Sequence, residues 1–590
     1  MKRKYLKHEF NYDKYPTTKI KGYDDEVYGG YDAIVRQLRS RFEKGKKHVL
    51  LVDCNTAVDI PDLKARLTSG LEPDEVFETT GIFLNHDTIQ SRLKRHVTDD
   101  RVFGVLYNGT WKDFVDPDGL TALQQKVEKA QGLVLVIGIA ASYIEAADTL
   151  VYADMTIWET QMRYRSGRVS NFAIDNPKED FIRKFKRGYF IDWRLNNRHK
   201  QELFHSLDYY LDTVVTEAPA MITHEAFDQG LLQLMQQPFR TVPFFDEGLW
   251  GGQWMREVCG VEDDSKPNFA WSYNLLFQEN EVNLTFGNVR VNVPGYTVCL
   301  RYPRELIGEK GYARFGAEYP IRYDFLDTVE GGNLSFQVHP TTQYIQENFG
   351  MHYTQDESYY YLDVVEDKDC VIYLGLKTGV DKEEFAKALY EAQQGVVPFP
   401  DEKFVNKIPV KKHEHYHIPA GTVHCSGADS MVLEISSSPC IFTFKMWDWG
   451  RVGLDGIPRP VHLEHGLANV QFDRQTDWIM ETCAFKPVPI REGDGFREEK
   501  TGLHDLEFIE TRRTWATKKY TETTNHETNA LHLVEGAEAL IESPTGQFDP
   551  FVIHYAESVV IPACISEYTV RPYGKSEGKE IAVLNTFVKY

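Results

Sequence analysis

The feature that most restricts the fold is a change of hydrophobic period partway along the chain. Up to about residue 215, short and wholly apolar runs alternate with helical patterns. HVLLVD (48–53) and GLVLVIGIA (132–140) are runs of the kind buried on both faces of a parallel sheet, and LTALQQKVEKAQ before the second has helical spacing. From about residue 240 the chain turns to short runs rich in Val, Tyr, Phe and Thr, broken by Gly and Pro: NVRVNVPGYTVCL, CVIYLGL, YHIPAGTVH, MVLEIS and CIFTFKMW. Such spacing predicts antiparallel strands in a barrel or sandwich, with one helical interlude at DKEEFAKALYEAQQG (381–395). A further strand series follows residue 485, and YAESVVIPA (555–563) repeats the Pro-Ala after an apolar strand seen in HEHYHIPAG (413–421), which hints at two related β-barrels. The 590 residues exceed what one core can serve and imply roughly three domains. The expected division is a three-layer α/β domain over 1–215, a metal-bearing β-barrel over 216–485, and a metal-free barrel of the same type over 486–590.

Charge narrows the partners. With 88 acidic against 66 basic residues, a net charge of −22 repels nucleic-acid phosphates and anionic membrane surfaces. A small anionic substrate needs a local cluster of Lys and Arg to overcome that field. The opening MKRKYLKHEFNYDKYP has no apolar core after its basic residues, so it does not read as a secretory signal. No apolar run approaches the ~18 residues needed to span a bilayer. Eight cysteines (54, 259, 299, 370, 425, 440, 483 and 564) lie scattered without a C-x-x-C pair, against a disulfide framework and a thiolate zinc site. A reduced, cytoplasmic protein is the expectation; nothing in the sequence sets an oligomeric state.

The stretch HEHYHIPAGTVH (413–424) holds four histidines. His413, His415 and His417 alternate and would share one strand face, and they read as a solvated strand edge flanked by Lys411 and Lys412. His424 differs. It follows a tight turn in which Pro419 fixes φ and Gly421 supplies a conformation closed to other residues, so the next strand begins with the histidine. Partners for a metal stand earlier in the chain: Gln337 and His339 are two apart in LSFQVHP, and Glu357 precedes an aromatic strand. Gln337, His339, Glu357 and His424 together offer two nitrogens and two oxygens, a set that suits zinc.

Across 245–480 the chain resembles the type I mannose-6-phosphate isomerases, zinc enzymes of the cupin family. The resemblance rests on W-G-G (250–252), AEYPIRYDFLDT (317–328), S-F-Q-V-H-P (335–340), E-S-Y-Y (357–360), IYLGLKTG (372–379), IPAGTVH (418–424), VLEI (432–435) and DWGRVGLDGIPRPVH (448–462). It implies one Zn2+ per chain, other divalent metals being compatible, held by Gln337, His339, Glu357 and His424. It also implies an aldose–ketose isomerase that takes mannose 6-phosphate to fructose 6-phosphate through an enediol. Glu434 would serve as the base and Lys445 as the catalytic cation, with Ser335, Arg451 and Arg459 binding the phosphorylated sugar. Three departures stand out. Lys445 occupies an Arg position of the family, which keeps the charge but loses the planar fork. Gln355 replaces a Lys two residues before the ligand glutamate. The segment after Glu434 is one residue longer and contains Pro439. A non-catalytic sensor or scaffold that binds metal and sugar phosphate is the alternative.

The first domain resembles uridine-kinase-like P-loop proteins in YADMTIWETQMRYRSGRVSNF (152–172) and FKRGYFIDWRLNNRHKQEL (185–203). Its loop reads CNTAVDIPDL where a phosphate loop would stand, with no glycine and no lysine, and Asp53, Asp59 and Asp62 would repel phosphate. A kinase relative that has lost its phosphate loop is expected, with Arg163, Arg165 and Arg168 on a solvated, structural helix. In the last domain His526 and His532 lack a following P-x-G-x-x-H; IPACISEY stands there instead.

Overall fold

The computed structural model describes residues 4–8, 10–43, 45–453, 459–504 and 507–590. Residues 454–458 of the motif at 448–462 therefore lie outside the described residues. The chain forms two compact units that interleave in sequence. One comprises Thr17–Leu234 and Phe277–Tyr302; the other takes the segment ending at Pro16, Met235–Leu276 and Pro303–Tyr590.

The first unit is α/β. Five parallel strands run side by side in the order Glu75–Glu78, Leu133–Gly138, His48–Cys54, Thr149–Asp154, Tyr209–Asp212. Ala220–Thr223 and Val27–Gly29 extend the sheet antiparallel. The apolar runs form its centre because neither face meets water: Leu50, Val52, Leu135, Ile137 and Val151 are buried against Leu63 and Leu67 of helix Ile60–Leu71 and Ile34 and Leu38 of helix Tyr31–Arg39. A small sheet completes the unit, with Thr18–Ile20 parallel to Glu281–Phe286 and the latter antiparallel to Val289–Pro294.

The loop after strand His48–Cys54 is satisfied from within. Asn55 N–H donates to Ala153 O at 2.9 Å, Ala57 N–H to Asn55 Oδ1 at 3.1 Å, and Val58 N–H to Asn55 O at 3.1 Å. Asp59 caps the helix by accepting from Asp62 N–H at 3.2 Å. These amides are spent on the protein's own acceptors and form no anion cradle. Of the three arginines expected on a solvated helix, Arg165 and Arg168 are exposed, Arg168 just beyond the helix Ile157–Arg165, but Arg163 is buried and tied down. Arg163 is 2% exposed and donates to Ala57 O, Thr213 O and Thr216 Oγ1 at 3.0–3.1 Å. Arg168 pairs with Asp59 at 3.1 Å, and the Arg165 guanidinium lies 4.5 Å from the Phe181 ring centroid.

The second unit is built from β-sheets. A six-stranded antiparallel sheet has the order His415–Ile418, Glu357–Val364, Ser430–Ser437, Ile321–Asp327, Trp271–Leu275, Phe244–Asp246. A five-stranded sheet has the order Val405–Pro409, Val371–Leu376, His424–Ser426, Phe336–Val338, Phe444–Trp447. The helical interlude is Lys382–Gln393, capped by Asp381. Beyond residue 487 a six-stranded and a four-stranded sheet share one core, in which Leu531, Leu533, Val559 and Val583 of the first meet Ile541, Ile553, Tyr568 and Val570 of the second. There His532 is buried and shares a 2.8 Å hydrogen bond with Ser558 Oγ through Nδ1. All eight cysteines are free thiols, and only Cys564 is exposed. No helix among the described residues is long and apolar enough to cross a membrane.

Truncating Arg163 tests the tie it makes. Removing a buried guanidinium strands several backbone and hydroxyl acceptors, so Arg163→Ala is expected to destabilise the α/β unit by about 2–4 kcal/mol in chemical denaturation. A loss under ~0.5 kcal/mol would place the side chain in water.

Candidate metal centre

The turn Pro419–Val423 explains how one histidine is aimed. Gly421 has φ +86°, and a Cβ there would meet Asn469 O at 2.9 Å and Gln471 Cγ at 2.7 Å. Its N–H donates to His339 O at 2.9 Å, which ties the turn to the residue after strand Phe336–Val338. His424 then opens its own strand in register with Gln337. Both side chains therefore belong to the five-stranded sheet, while Glu357 opens a strand of the six-stranded sheet.

The four expected ligands converge. His424 Nε2 lies 2.5 Å from Glu357 Oε1, His339 Nε2 lies 3.1 Å from Glu357 Oε2, and Gln337 Nε2 lies 3.2 Å from His424 Nε2. His339, Glu357 and His424 are at most 1% exposed and Gln337 8%. Among the described residues they include the one group of three or more His, Cys, Asp or Glu side chains arranged to hold a metal ion.

Tautomer logic shows that the residues fit a cation. His339 Nδ1 is 3.0 Å from Phe442 O, and His424 Nδ1 is 3.0 Å from Thr422 O. A carbonyl only accepts, so each Nδ1 carries the proton, and in the neutral ring Nε2 presents a lone pair. Those lone pairs face carboxylate oxygens. His339 Nε2 and Glu357 Oε1 are buried without a hydrogen-bond partner. Lone pairs set against lone pairs need a cation between them, and backbone carbonyls behind the ligand histidines are the usual support for a metal site. Turning the Gln337 amide presents its oxygen to the same point, since amide orientation is assigned from the network.

A cavity of ≈ 240 Å³ adjoins this centre. Arg322, Asp324, Ser335, Gln337, Gln355, Glu434, Lys445 and Arg459 all line it, with Trp250 and Tyr273 among its apolar walls. Burial, together with Asp324 and Glu357, pushes the Glu434 carboxyl well up, against the pull of Arg322. Burial, then Arg459, lowers the Lys445 ammonium to about 7, with Asp448 opposing. Gln355 bridges the two carboxylates, donating to Glu357 Oε2 at 2.9 Å and to Glu434 Oε1 at 3.2 Å. Ser335 Oγ donates to Asp448 Oδ1 at 2.8 Å and accepts from Arg459 at 3.3 Å, while Arg459 also pairs with Asp448 at 2.9 Å.

Two expectations need correction. Arg451 does not line the cavity; it donates to Asn333 O at 2.8 Å and pairs with Asp448, so it braces the loop that Ser335 and Arg459 also reach. The strand His415–Ile418 is an edge of the six-stranded sheet, as expected, but His415 on it is not solvated. His415 is fully buried, with Nε2 2.7 Å from Ser358 Oγ and Nδ1 3.1 Å from Thr501 Oγ1. His413 precedes the strand and bridges Tyr360 Oη at 2.8 Å and Glu535 at 3.1 Å. Arg322 and Asp324 escaped sequence reasoning. Their signal is a charged i, i+2 pair inside strand Ile321–Asp327, which is buried along its whole length.

Comparison with known proteins adds relatives. A family model described as "Domain of unknown function (DUF8485)" matches residues 30–236. Mannose-6-phosphate isomerase of Streptococcus mutans is 26% identical over 233 residues, covering 40% of this chain and 67% of that protein. Mannose-6-phosphate isomerase ManA of Bacillus subtilis is 22% identical over 237 residues, covering 40% and 68%. Among solved structures, the mannose 6-phosphate isomerase from Bacillus subtilis aligns at TM-score 0.48 and 17% identity, over 59% of this chain and 99% of that one. A putative mannosephosphate isomerase from Archaeoglobus fulgidus aligns at 0.42 and 15%, over 60% and 98%. About 40% of the chain is thus homologous to the mannose-6-phosphate isomerases.

The purified chain is expected to carry one divalent metal, and His424→Ala to carry less than a tenth of that by elemental analysis. Saturating metal at ~100 times its dissociation constant stabilises the fold by about 2.7 kcal/mol, so chelation should lower the melting temperature of the wild type and leave His424→Ala unmoved.

Proposed function

We propose that the chain is a metal-dependent aldose–ketose isomerase that interconverts mannose 6-phosphate and fructose 6-phosphate, with zinc as the resident metal. One observation carries the reading: Gln337, which sits beside the His339–Glu357–His424 group, and Glu434, a carboxylate of raised proton affinity, line one cavity with Arg322, Lys445 and Arg459. Homology to the mannose-6-phosphate isomerases supports it.

The roles follow from position. Gln337, His339, Glu357 and His424 would hold the metal, which when bound supplies Lewis-acid stabilisation to oxygens that gain negative charge. Lys445 and Arg459 share one cavity wall with Ser335 and suit the phosphate. Glu434 takes the carbon-bound proton from C2 of the open-chain aldose and returns it to C1, passing through an enediol. Trp250, Trp271 and Tyr273 form an aromatic part of the cavity wall.

A second reading, a non-catalytic sugar-phosphate binder, is favoured by Lys445. An ammonium cannot grip two oxygens in the bidentate manner of a guanidinium. A coupled assay from mannose 6-phosphate to fructose 6-phosphate with added zinc separates the two. Conversion above a metal-free control, reduced roughly 10²–10⁴-fold by Glu434→Gln, is expected. Binding of the sugar phosphate without turnover would select the sensor.

Lys445 also sets a pH signature. With its ammonium lowered to about 7, the cation is present below that pH and is lost as pH rises through it. Its hold on a phosphate dianion therefore weakens with rising pH. KM for the sugar phosphate is expected to rise above pH 7 in the wild type and to stay flatter in Lys445→Arg, whose guanidinium remains charged.

A further inference from the structure

Three adjacent strands of the six-stranded sheet bring an unusual charge group together. Asp324 and Glu434 are register partners across Ile321–Asp327 and Ser430–Ser437, and Glu357 pairs with Ser436 on the next strand over. Side chains two apart share a face, so Arg322 and Asp324 point the same way, as do Glu434 and Ser436. The result is three carboxylates, Asp324, Glu357 and Glu434, on one buried wall, none more than 4% exposed.

One buried cation serves two of them. The Arg322 guanidinium, 3% exposed, lies with Nε 3.1 Å from Asp324 Oδ1 and with Nη2 donating to Glu434 Oε1. Two further donors meet the same Glu434 oxygen: Gln355 Nε2 at 3.2 Å and Ser436 Oγ at 3.1 Å. All three donations fall on Oε1, and the carboxyl also shares a side-chain hydrogen bond with Glu357. A carboxylate held this way has one oxygen fixed by the protein and the other left to exchange a proton. The guanidinium meets Glu434 through Nη2 alone, its Nε facing Asp324, so it holds the position of Oε1 by charge and by its own anchorage between two carboxylates.

We propose that Arg322 is the positioning residue for the proton-transfer carboxylate, clamping Glu434 through Oε1 so that Oε2 exchanges the proton with the sugar. The proposal rests on the isomerase reading. In the forward direction the C2–H bond breaks, Glu434 Oε2 takes the proton, and the electron pair becomes the C1=C2 bond of the enediol. The same carboxyl then delivers that proton to C1 as the ketose carbonyl forms at C2, with the hydroxyl proton passing between the two sugar oxygens. No oxidant or reductant enters. Arg322 touches neither sugar carbon in this scheme and acts only through Glu434.

A positioning role predicts a pattern that a merely structural arginine would not produce. Arg322→Gln is expected to retain one zinc per chain by elemental analysis and to unfold as a single chain with its metal-dependent melting shift intact. It should lose kcat by roughly 10²-fold or more while KM changes less than about threefold. Arg322→Lys should recover part of the loss. Gln355→Lys, added to Arg322→Gln, should recover part of it as well, because the new ammonium arises beside the same Glu434 oxygen. Several outcomes overturn the proposal: wild-type kcat in Arg322→Gln, a raised KM at unchanged kcat, loss of zinc together with activity in both Arg322 variants, or no recovery in either rescue. A wild-type enzyme that binds zinc yet converts no mannose 6-phosphate removes the isomerase reading itself and takes this one with it.

Discussion

A single carboxylate, Glu357, set against two imidazole nitrogens, is the contact on which the rest of the β unit turns. Each imidazole is locked by a carbonyl behind it, so neither can rotate its lone pair away from the carboxylate. The ligands come from both sheets, with Glu357 from the six-stranded and Gln337 and His424 from the five-stranded one. A cation at that point therefore acts as a cross-link between facing sheets as well as a chemical group. The centre also sets the polarity of its surroundings. Gln355 reaches from the ligand carboxylate to Glu434, so the metal centre and the adjoining cavity share hydrogen-bonded partners and respond to one another's charge.

The local charge of that cavity runs against the character of the chain. A net −22 disfavours any anion at long range, yet Arg322, Lys445 and Arg459 stand on one set of walls. Screening over about 8 Å at physiological salt makes the distant carboxylates count for little beside these neighbours. The acids of the same cavity are contained. Asp324 and Glu434 share a guanidinium; Asp448, behind the lining residues Ser335 and Arg459, is engaged by both and by Arg451.

How much of this was legible in the sequence depended on backbone chemistry. The turn before His424 could be read because Pro419 and Gly421 restrict the backbone in ways few residues do, and Gly421 has the positive φ that reading requires. The apolar runs at 48–53 and 132–140 were equally plain, since a strand buried on both faces has no polar positions to confuse it. Arg322 and Asp324 were not legible. A charged i, i+2 pair reads as the solvent face of a strand, and only the register with Glu434 shows that this face looks into the protein. The same ambiguity misplaced His415, which alternates with its neighbours like a surface residue but is hydrogen-bonded on both ring nitrogens. Arg163 looked like part of a basic helix face because, apart from Glu159 one turn earlier, its acceptors Ala57, Thr213 and Thr216 lie far away in sequence.

The interleaving of the two units has a consequence for how the polypeptide is made and dissected. Strands Glu281–Phe286 and Val289–Pro294 complete the small sheet begun by Thr18–Ile20, although a stretch of the other unit separates them in sequence. Emerging from the ribosome, the earlier strand waits some 260 residues for its neighbour, so its edge must stay unpaired through that interval. Neither unit exists as one continuous stretch of chain, and a fragment ending before residue 281 leaves Thr18–Ile20 without its partner strand.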